Sequence, residues 1–165
     1  MAVELAPMPE SRFEGWLPLA LEHYVESRER AGDTHAQARA RAERSMATYF
    51  PDGHVLEGHF VFEVLADGEP VGAIWIGPNP QAPDGKAWWV YDVGIAEEHR
   101  RKGYGRAAML LAEEEVRKLG GTTLGLNVFG FNTEARSLYE SLGFGIVSLQ
   151  LRKDLNDPAS GSPDA

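Results

Sequence analysis

The sequence predicts an α/β fold: a mixed, mostly antiparallel central sheet flanked by helices. Three observations predict it. The apolar period changes from helical to strand-like near residue 59. Short β-rich runs then follow, separated by a hairpin signal and a loop. After them a helical and a strand pattern alternate, as in a βαβ crossover. The 165 residues suit one domain, expected over 1–155, with 156–165, rich in Pro, Ser, Gly and Asp, as a disordered tail.

After a short initial strand, Ser11-Arg12-Phe13-Glu14 and Thr34-His35-Ala36-Gln37 both fit the capping box, in which a hydroxyl and a residue three further on satisfy backbone donors reciprocally. They open helical stretches over 11–31 and 34–49, separated by Gly32-Asp33 and closed by Pro51-Asp52-Gly53. Pro18 lies inside the first stretch, so that helix is expected to kink there or to start later. Phe60–Leu65 and Val71–Ile76 are strands joined through Asp67-Gly68-Glu69. Residues 77–86 form a loop and Ala87–Ile95 a third strand. A helix over 103–119 ends at Gly120-Gly121, with Tyr104, Ala108, Leu111, Ala112 and Leu119 on one face and Glu115 projecting among them. Thr122–Phe129 is a strand, 132–142 a helix, and Phe144–Arg152 a last strand.

Composition narrows the function. Twenty-five acidic against 16 basic residues give a net charge of −9, which disfavours nucleic acid as a partner and favours cationic substrates. No run approaches the ~18–20 apolar residues of a membrane span. The N-terminus has neither a basic region nor an apolar signal core, so the cytoplasm is the expected compartment. Without cysteine there is no thiol nucleophile, and the five histidines form no i,i+4 pair, so no metal is expected.

Against that acidic background, His99-Arg100-Arg101-Lys102-Gly103-Tyr104-Gly105-Arg106 is a basic knot between a strand and a helix. Glycine lets backbone approach a ligand closely, and the first N–H groups of a helix point outward toward an anion. A pyrophosphate fits those donors and charges. A G-x-G-x-x-G fingerprint would require its third glycine at Ala108, and no Gly-Lys-Ser/Thr of a Walker loop follows.

Arg100-Arg101-Lys102-Gly103-Tyr104-Gly105 resembles the R/Q-x-x-G-x-G/A motif of the GCN5-related N-acetyltransferase (GNAT) family. Residues Asn132 to Phe144 resemble its N-x-x-A-x-x-L-Y-x-x-x-G-F block, through Asn132, Ala135, Leu138, Tyr139, Gly143 and Phe144. The resemblance is firm over 88–144 and rests on element order before that. It implies acetyl transfer from acetyl-CoA directly to a primary amine of a small molecule or peptide, with a catalytically silent CoA-binding module as the alternative. It further implies that Arg100, Arg101, Lys102, Gly103, Tyr104, Gly105 and Arg106 surround the pyrophosphate. In the same way Val93, Gly94 and Ile95 would pair with the pantetheine arm, Gly94 marking a bulge or close approach, and Asn132 would touch CoA as well as cap its helix.

Tyr139 matches the residue that would protonate the departing thiolate, although its spacing also suits a core aromatic. The base is less legible. Asp92 is the only carboxylate on the strands 87–95 and 122–129, and strand alternation sets it opposite Tyr91 unless a bulge re-aims it. Glu26, Glu57 and Glu63 could serve only if the first helices fold over the site. Aromatic residues of the first half, with Trp89 and Tyr91, could line an acceptor pocket, and edge strands near the C-terminus would allow a homodimer.

Overall fold

The computed structural model describes residues 2–82 and 84–156, so the tail expected at 156–165 lies outside the described residues except for Asn156. Its elements are β1 (Val3–Pro7), α1 (Glu10–Arg30), α2 (His35–Tyr49), β2 (Phe60–Ala66), β3 (Glu69–Pro78), β4 (Ala87–Ile95), α3 (Tyr104–Lys118), β5 (Thr123–Leu126) and α4 (Thr133–Ser141). The sheet order is β1-β2-β3-β4-β5. Every neighbouring pair is antiparallel except β4 and β5, which a crossover joins; β2–β3 and β3–β4 are linked directly, whereas β1 reaches β2 through α1 and α2.

The sheet is sandwiched. On one face Phe62, Val64, Ile74, Ile76, Trp88 and Val90 meet Tyr104, Ala108, Met109, Ala112 and Val116 of α3, with Tyr139, Leu142 and Phe144 packed beside them. On the other face Val61 and Trp75 meet Phe13 and Leu17 of α1 and Phe50 beyond α2. The buried face of α3 is rotated from the expected one: Met109 and Val116 are buried, whereas Leu119 lies beyond the last turn and is exposed. Glu115 is paired with Lys118 at 2.7 Å.

The Thr34–Gln37 capping box forms as expected. The Ser11 box does not. Pro9 is the N-cap, and its carbonyl accepts from the N–H groups of Arg12 and Phe13, so Ser11 already lies within the first turn. The helix starts earlier than expected and runs on through Pro18, at an exposed position. Where α1 meets α2, the Asp33 carboxylate gathers Arg28 at 2.9 Å and Arg41 at 3.2 Å, and its pKa is lowered chiefly by the Arg28 hydrogen bond.

Two strands depart from expectation. β5 stops at Leu126 instead of reaching Phe129, because the following loop is drawn toward α1. Phe129 and Phe131 stack at 5.4 Å, with Arg28 over the first ring and Arg30 over the second at 4.2 Å. Phe144–Arg152 forms no strand: Phe144 is held by its N–H to the Tyr139 carbonyl, and beyond it no neighbouring strand supplies a ladder. Among the described residues no helix is long and apolar enough to cross a membrane.

One half-buried histidine makes stability pH-dependent. His59 Nδ1 accepts from Trp75 Nε1 at 3.1 Å, which requires an unprotonated Nδ1, and burial lowers its pKa below 6.5. The folded state therefore binds fewer protons here than the unfolded chain does. The contribution is full above pH ~6.5 and fades as pH falls toward the folded pKa. Denaturant midpoints at pH 7.5 and 5 should differ less in His59→Asn, which keeps an acceptor but does not titrate.

Candidate active site

The site begins where two strands part. β4 and β5 pair in parallel from Ala87 and Thr123 up to Val90 and Leu126, and there the ladder ends. β4 continues through five more residues to Ile95, so the β5 side of Tyr91–Ile95 carries no strand. Val93, Gly94 and Ile95 thus offer an open backbone edge, the feature an added extended ligand needs. Gly94 is exposed, and a Cβ built on it would meet nothing within 4 Å. No bulge falls at Gly94, whose pairing with Ala73 is regular.

The irregularity lies three residues earlier. Trp75 opposes Asp92 and Ile76 opposes Val90, leaving Tyr91 as the extra residue. Tyr91 and Asp92 therefore both turn to the face covered by α1 and α2, while Val90 and Val93 pack against the other. This is the re-aiming that strict alternation would forbid. Tyr91 is fixed by its hydroxyl, which donates to the Pro78 carbonyl at 2.7 Å, and by stacking on Trp75 at 4.6 Å. Tyr49 and His59 close the aromatic group, with centroids 4.9 and 5.0 Å from Tyr91. Trp89 lies on the strand just before and packs over Gly125, where a Cβ would come within 2.5 Å of its ring.

From the end of β4 the chain turns tightly into α3. Arg101 takes a positive φ of 59° and Gly103 one of 84°, the latter as the helix N-cap. Gly103 has no side chain to cap with, so the N-cap residue takes up none of the leading N–H groups of α3 through a side chain. The basic residues divide into two sets. Arg100 folds back to donate from Nε to the Ile95 carbonyl at 3.1 Å, and Arg106 reaches across to Ser141 Oγ, tying α3 to α4. Arg101 and Lys102 stay exposed. Tyr104 is buried and sets its ring near that of His99, with centroids 6.4 Å apart. Gly105 leaves room beside Leu138, 3.5 Å from where its Cβ would stand.

α4 supplies the remaining candidates. The Asn132 side chain accepts from the Ala135 N–H at 3.2 Å, a helix cap as the spacing predicts. Tyr139, one face of which meets Phe144 edge-on at 5.9 Å, is partly buried. Its pKa is raised, first by burial and then by the negative charge of Asp92. Asp92 in turn is raised by burial, opposed by the charge of His23 and by the Val93 N–H. The fold thus brings Asp92 and Tyr139 into electrostatic reach at the gap between β4 and β5.

The other carboxylates considered from sequence do not join them. Glu63 is buried and bound to Arg12 at 2.9 Å, while Glu26 and Glu57 are exposed. His23 was not legible as a neighbour of Asp92. It sits on an exposed position of α1, and only the packing of that helix over the bulged strand brings the two charges together.

Comparison with known proteins agrees with this geometry. Residues 19–144 match the Acetyltransferase (GNAT) family. The chain is 31% identical over 157 residues to YycN of Bacillus subtilis, named as an uncharacterized N-acetyltransferase, covering 94% of this chain and all of that one. It is 29% identical over 157 residues to the similarly named YdgE of that organism, covering 94% and 99%. The crystal structure of YycN superposes with a TM-score of 0.85 over 94% of this chain. A more distant fold neighbour, AAC(6')-Iy at 13% identity and a TM-score of 0.59 over 95% of this chain, is known in complex with a CoA-linked bisubstrate analogue. With the family matched over most of its length, this chain belongs to the GNAT family and is an N-acetyltransferase.

Proposed function

We propose that the enzyme transfers acetyl from acetyl-CoA directly to a primary amine of a small molecule or peptide. The observation that carries this reading is the open edge of Val93–Ile95 leading straight into the uncapped start of α3. An extended pantetheine arm adds to that edge as a strand would, and the pyrophosphate then meets the N–H groups after Gly103 with Arg101 and Lys102 beside them. Gly94 leaves space for the thioester, and an N–H of the edge polarises its carbonyl.

The amine enters from the side of α1 and α2, the face toward which the bulge turns Asp92. Asp92 takes a proton from the ammonium, and the free amine nitrogen attacks the thioester carbon. The tetrahedral adduct collapses with cleavage of the C–S bond, and Tyr139 gives its proton to the thiolate. The second proton lost by the nitrogen restores the Tyr139 phenol through solvent, and Asp92 returns its own proton to solvent. A raised pKa suits both roles: Asp92 becomes a stronger base than a solvated carboxylate, and Tyr139 stays protonated at neutral pH. With no cysteine in the chain, the acetyl group passes without a thioester on the enzyme. The net charge of −9 favours approach of cationic amines.

Calorimetric titration with acetyl-CoA tests the donor half. The wild type should bind at micromolar Kd, and Gly103→Val with Gly105→Val should weaken binding by about 100-fold or more. Gly103 sits in left-handed backbone, where a β-branched residue is strained by roughly 1–3 kcal/mol, so circular dichroism must show that the variant is folded. A folded wild type that does not bind acetyl-CoA would overturn the reading.

A further inference from the structure

This acidic chain gathers positive charge a second time, away from the basic turn before α3. At the junction of α1 and α2 the Asp33 carboxylate accepts three guanidinium groups: Arg28 at 2.9 Å, Arg41 at 3.2 Å and Arg152 at 3.6 Å. A single arginine would balance it, so the others leave a surplus. Arg30 enlarges that surplus. It is exposed, makes no ion pair among the described residues, and rests its guanidinium over the Phe131 ring at 4.2 Å. The dipole of α1 accounts for cations in its last turn. It does not account for Arg41, in the middle of α2, or for Arg152, from beyond α4.

The patch flanks the gap between β4 and β5. β5 leaves the sheet at Leu126, opposite Val90, so the loop bearing Phe129 and Phe131 continues the wall of the gap beside Tyr91 and Asp92. Arg28 and Arg30 hold that wall through the two rings. On α1, His23 precedes Arg30 by two turns on the same face, and its charge acts on Asp92. One end of this stripe therefore serves the proposed base and the other the patch, roughly 10 Å apart at ~1.5 Å of rise per residue.

Building on the transfer reading above, we propose that the acceptor carries an anionic group, a carboxylate or phosphate, about 10 Å from its reacting amine, and that Arg30 binds it. A guanidinium resting its face on a ring keeps its N–H edge for an oxyanion, which it can grip with two parallel hydrogen bonds. The ring also holds the side chain in place, so little freedom is lost on binding. Arg28 and Arg41 add positive field without being displaced from Asp33. The acceptor is then a zwitterion. Its ammonium answers Asp92 and the acidic surface, and its anion answers the patch.

Steady-state acetylation of tripeptide amides tests this, with alanine at the first two positions and aspartate, phosphoserine or asparagine at the third. At ~3.3–3.6 Å per residue the third position lies at the required distance. An ω-amino acid, 8-aminooctanoate, against octylamine forms the non-peptide arm. Wild-type kcat/KM should be about 10-fold or more higher for the anionic member of a set, the return of one charge-assisted hydrogen bond. The better of aspartate and phosphoserine identifies the anion. Arg30→Gln should bring the ratio to within a factor of about two, with neutral substrates unaffected, and Arg30→Glu should invert it. Arg30 is exposed, so circular dichroism should show both variants folded. A wild type indifferent to the anion, or a preference that survives Arg30→Gln, overturns the subsite and leaves direct acetyl transfer standing. Acetylation of none of these amines overturns it too, and calorimetry of the same protein with acetyl-CoA then decides the donor half separately.

Discussion

Tyr139→Phe should lower turnover by about 100-fold while leaving acetyl-CoA affinity within a factor of two. General acids contribute ~10²–10⁴ in rate, and the low end suits a leaving thiolate whose own pKa is roughly 8.5, so water can partly replace the donor. The ring should keep its packing, because its contacts with Phe144 and the α3 face are apolar and Phe preserves them. No other described group takes the phenol as a hydrogen-bond partner, so removing the hydroxyl strands no buried donor. Single-turnover kinetics with saturating acetyl-CoA separate the two possible roles of this residue. A core aromatic would give unchanged turnover and at most a shifted melting temperature. An acid would give slow chemistry in an equally stable protein.

Much of the fold was legible because its signals are local. The ends of β4 follow from a β-rich run bounded by a glycine loop and a basic turn, and the observed strand is Ala87–Ile95 as expected. The Thr34–Gln37 box needs only four residues and forms as the sequence predicts. The failures are those in which a distant partner decides. Phe144–Arg152 has the propensity of a strand, but a strand exists only if another offers its edge. β5 was overextended because nothing near Val128 or Phe129 announces that Arg28 and Arg30 will hold the loop. The Ser11 box lost to Pro9, whose carbonyl accepts the first helical bonds two residues earlier.

The candidate site divides in the same way. Its proposed donor half is contiguous, since Val93 to Arg106 runs from the open strand edge through the turn into α3, so motif spacing alone points to it. The roles of individual cations were not legible. All four are exposed, but Arg100 and Arg106 are tied to Ile95 and Ser141, whereas Arg101 and Lys102 make no side-chain hydrogen bond among the described residues. The acceptor half is assembled from α1, α2, β3 and β4, with His23, Tyr49, Trp75 and Tyr91 brought in from distant stretches. No spacing rule connects them.

Asp92→Asn should reduce kcat/KM by about 100-fold at neutral pH and remove the acidic limb of its pH profile. As the proposed base, Asp92 must be ionised to act, so wild-type activity should fall as pH drops through the Asp92 pKa. Burial raises that pKa above the ordinary 3.8, which moves the limb toward neutrality, while the charge of His23 and the Val93 N–H hold it back. His23→Gln removes the opposing charge. It should shift the limb further toward neutral pH without abolishing it, which separates a modulating neighbour from the base itself. A purely structural Asp92 would behave differently, because Asn fills the same volume at the bulge and the limb would survive the substitution. The bulge makes the comparison sharp. With Tyr91 bulging between Val90 and Asp92, the carboxylate lies on the face beneath α1 and α2, the side proposed for the amine, and within electrostatic reach of Tyr139 at the gap. Were Tyr91 accommodated in regular alternation instead of bulging, the only carboxylate of the two parted strands would point into the α3 core, and the ammonium would find no carboxylate there to take its proton.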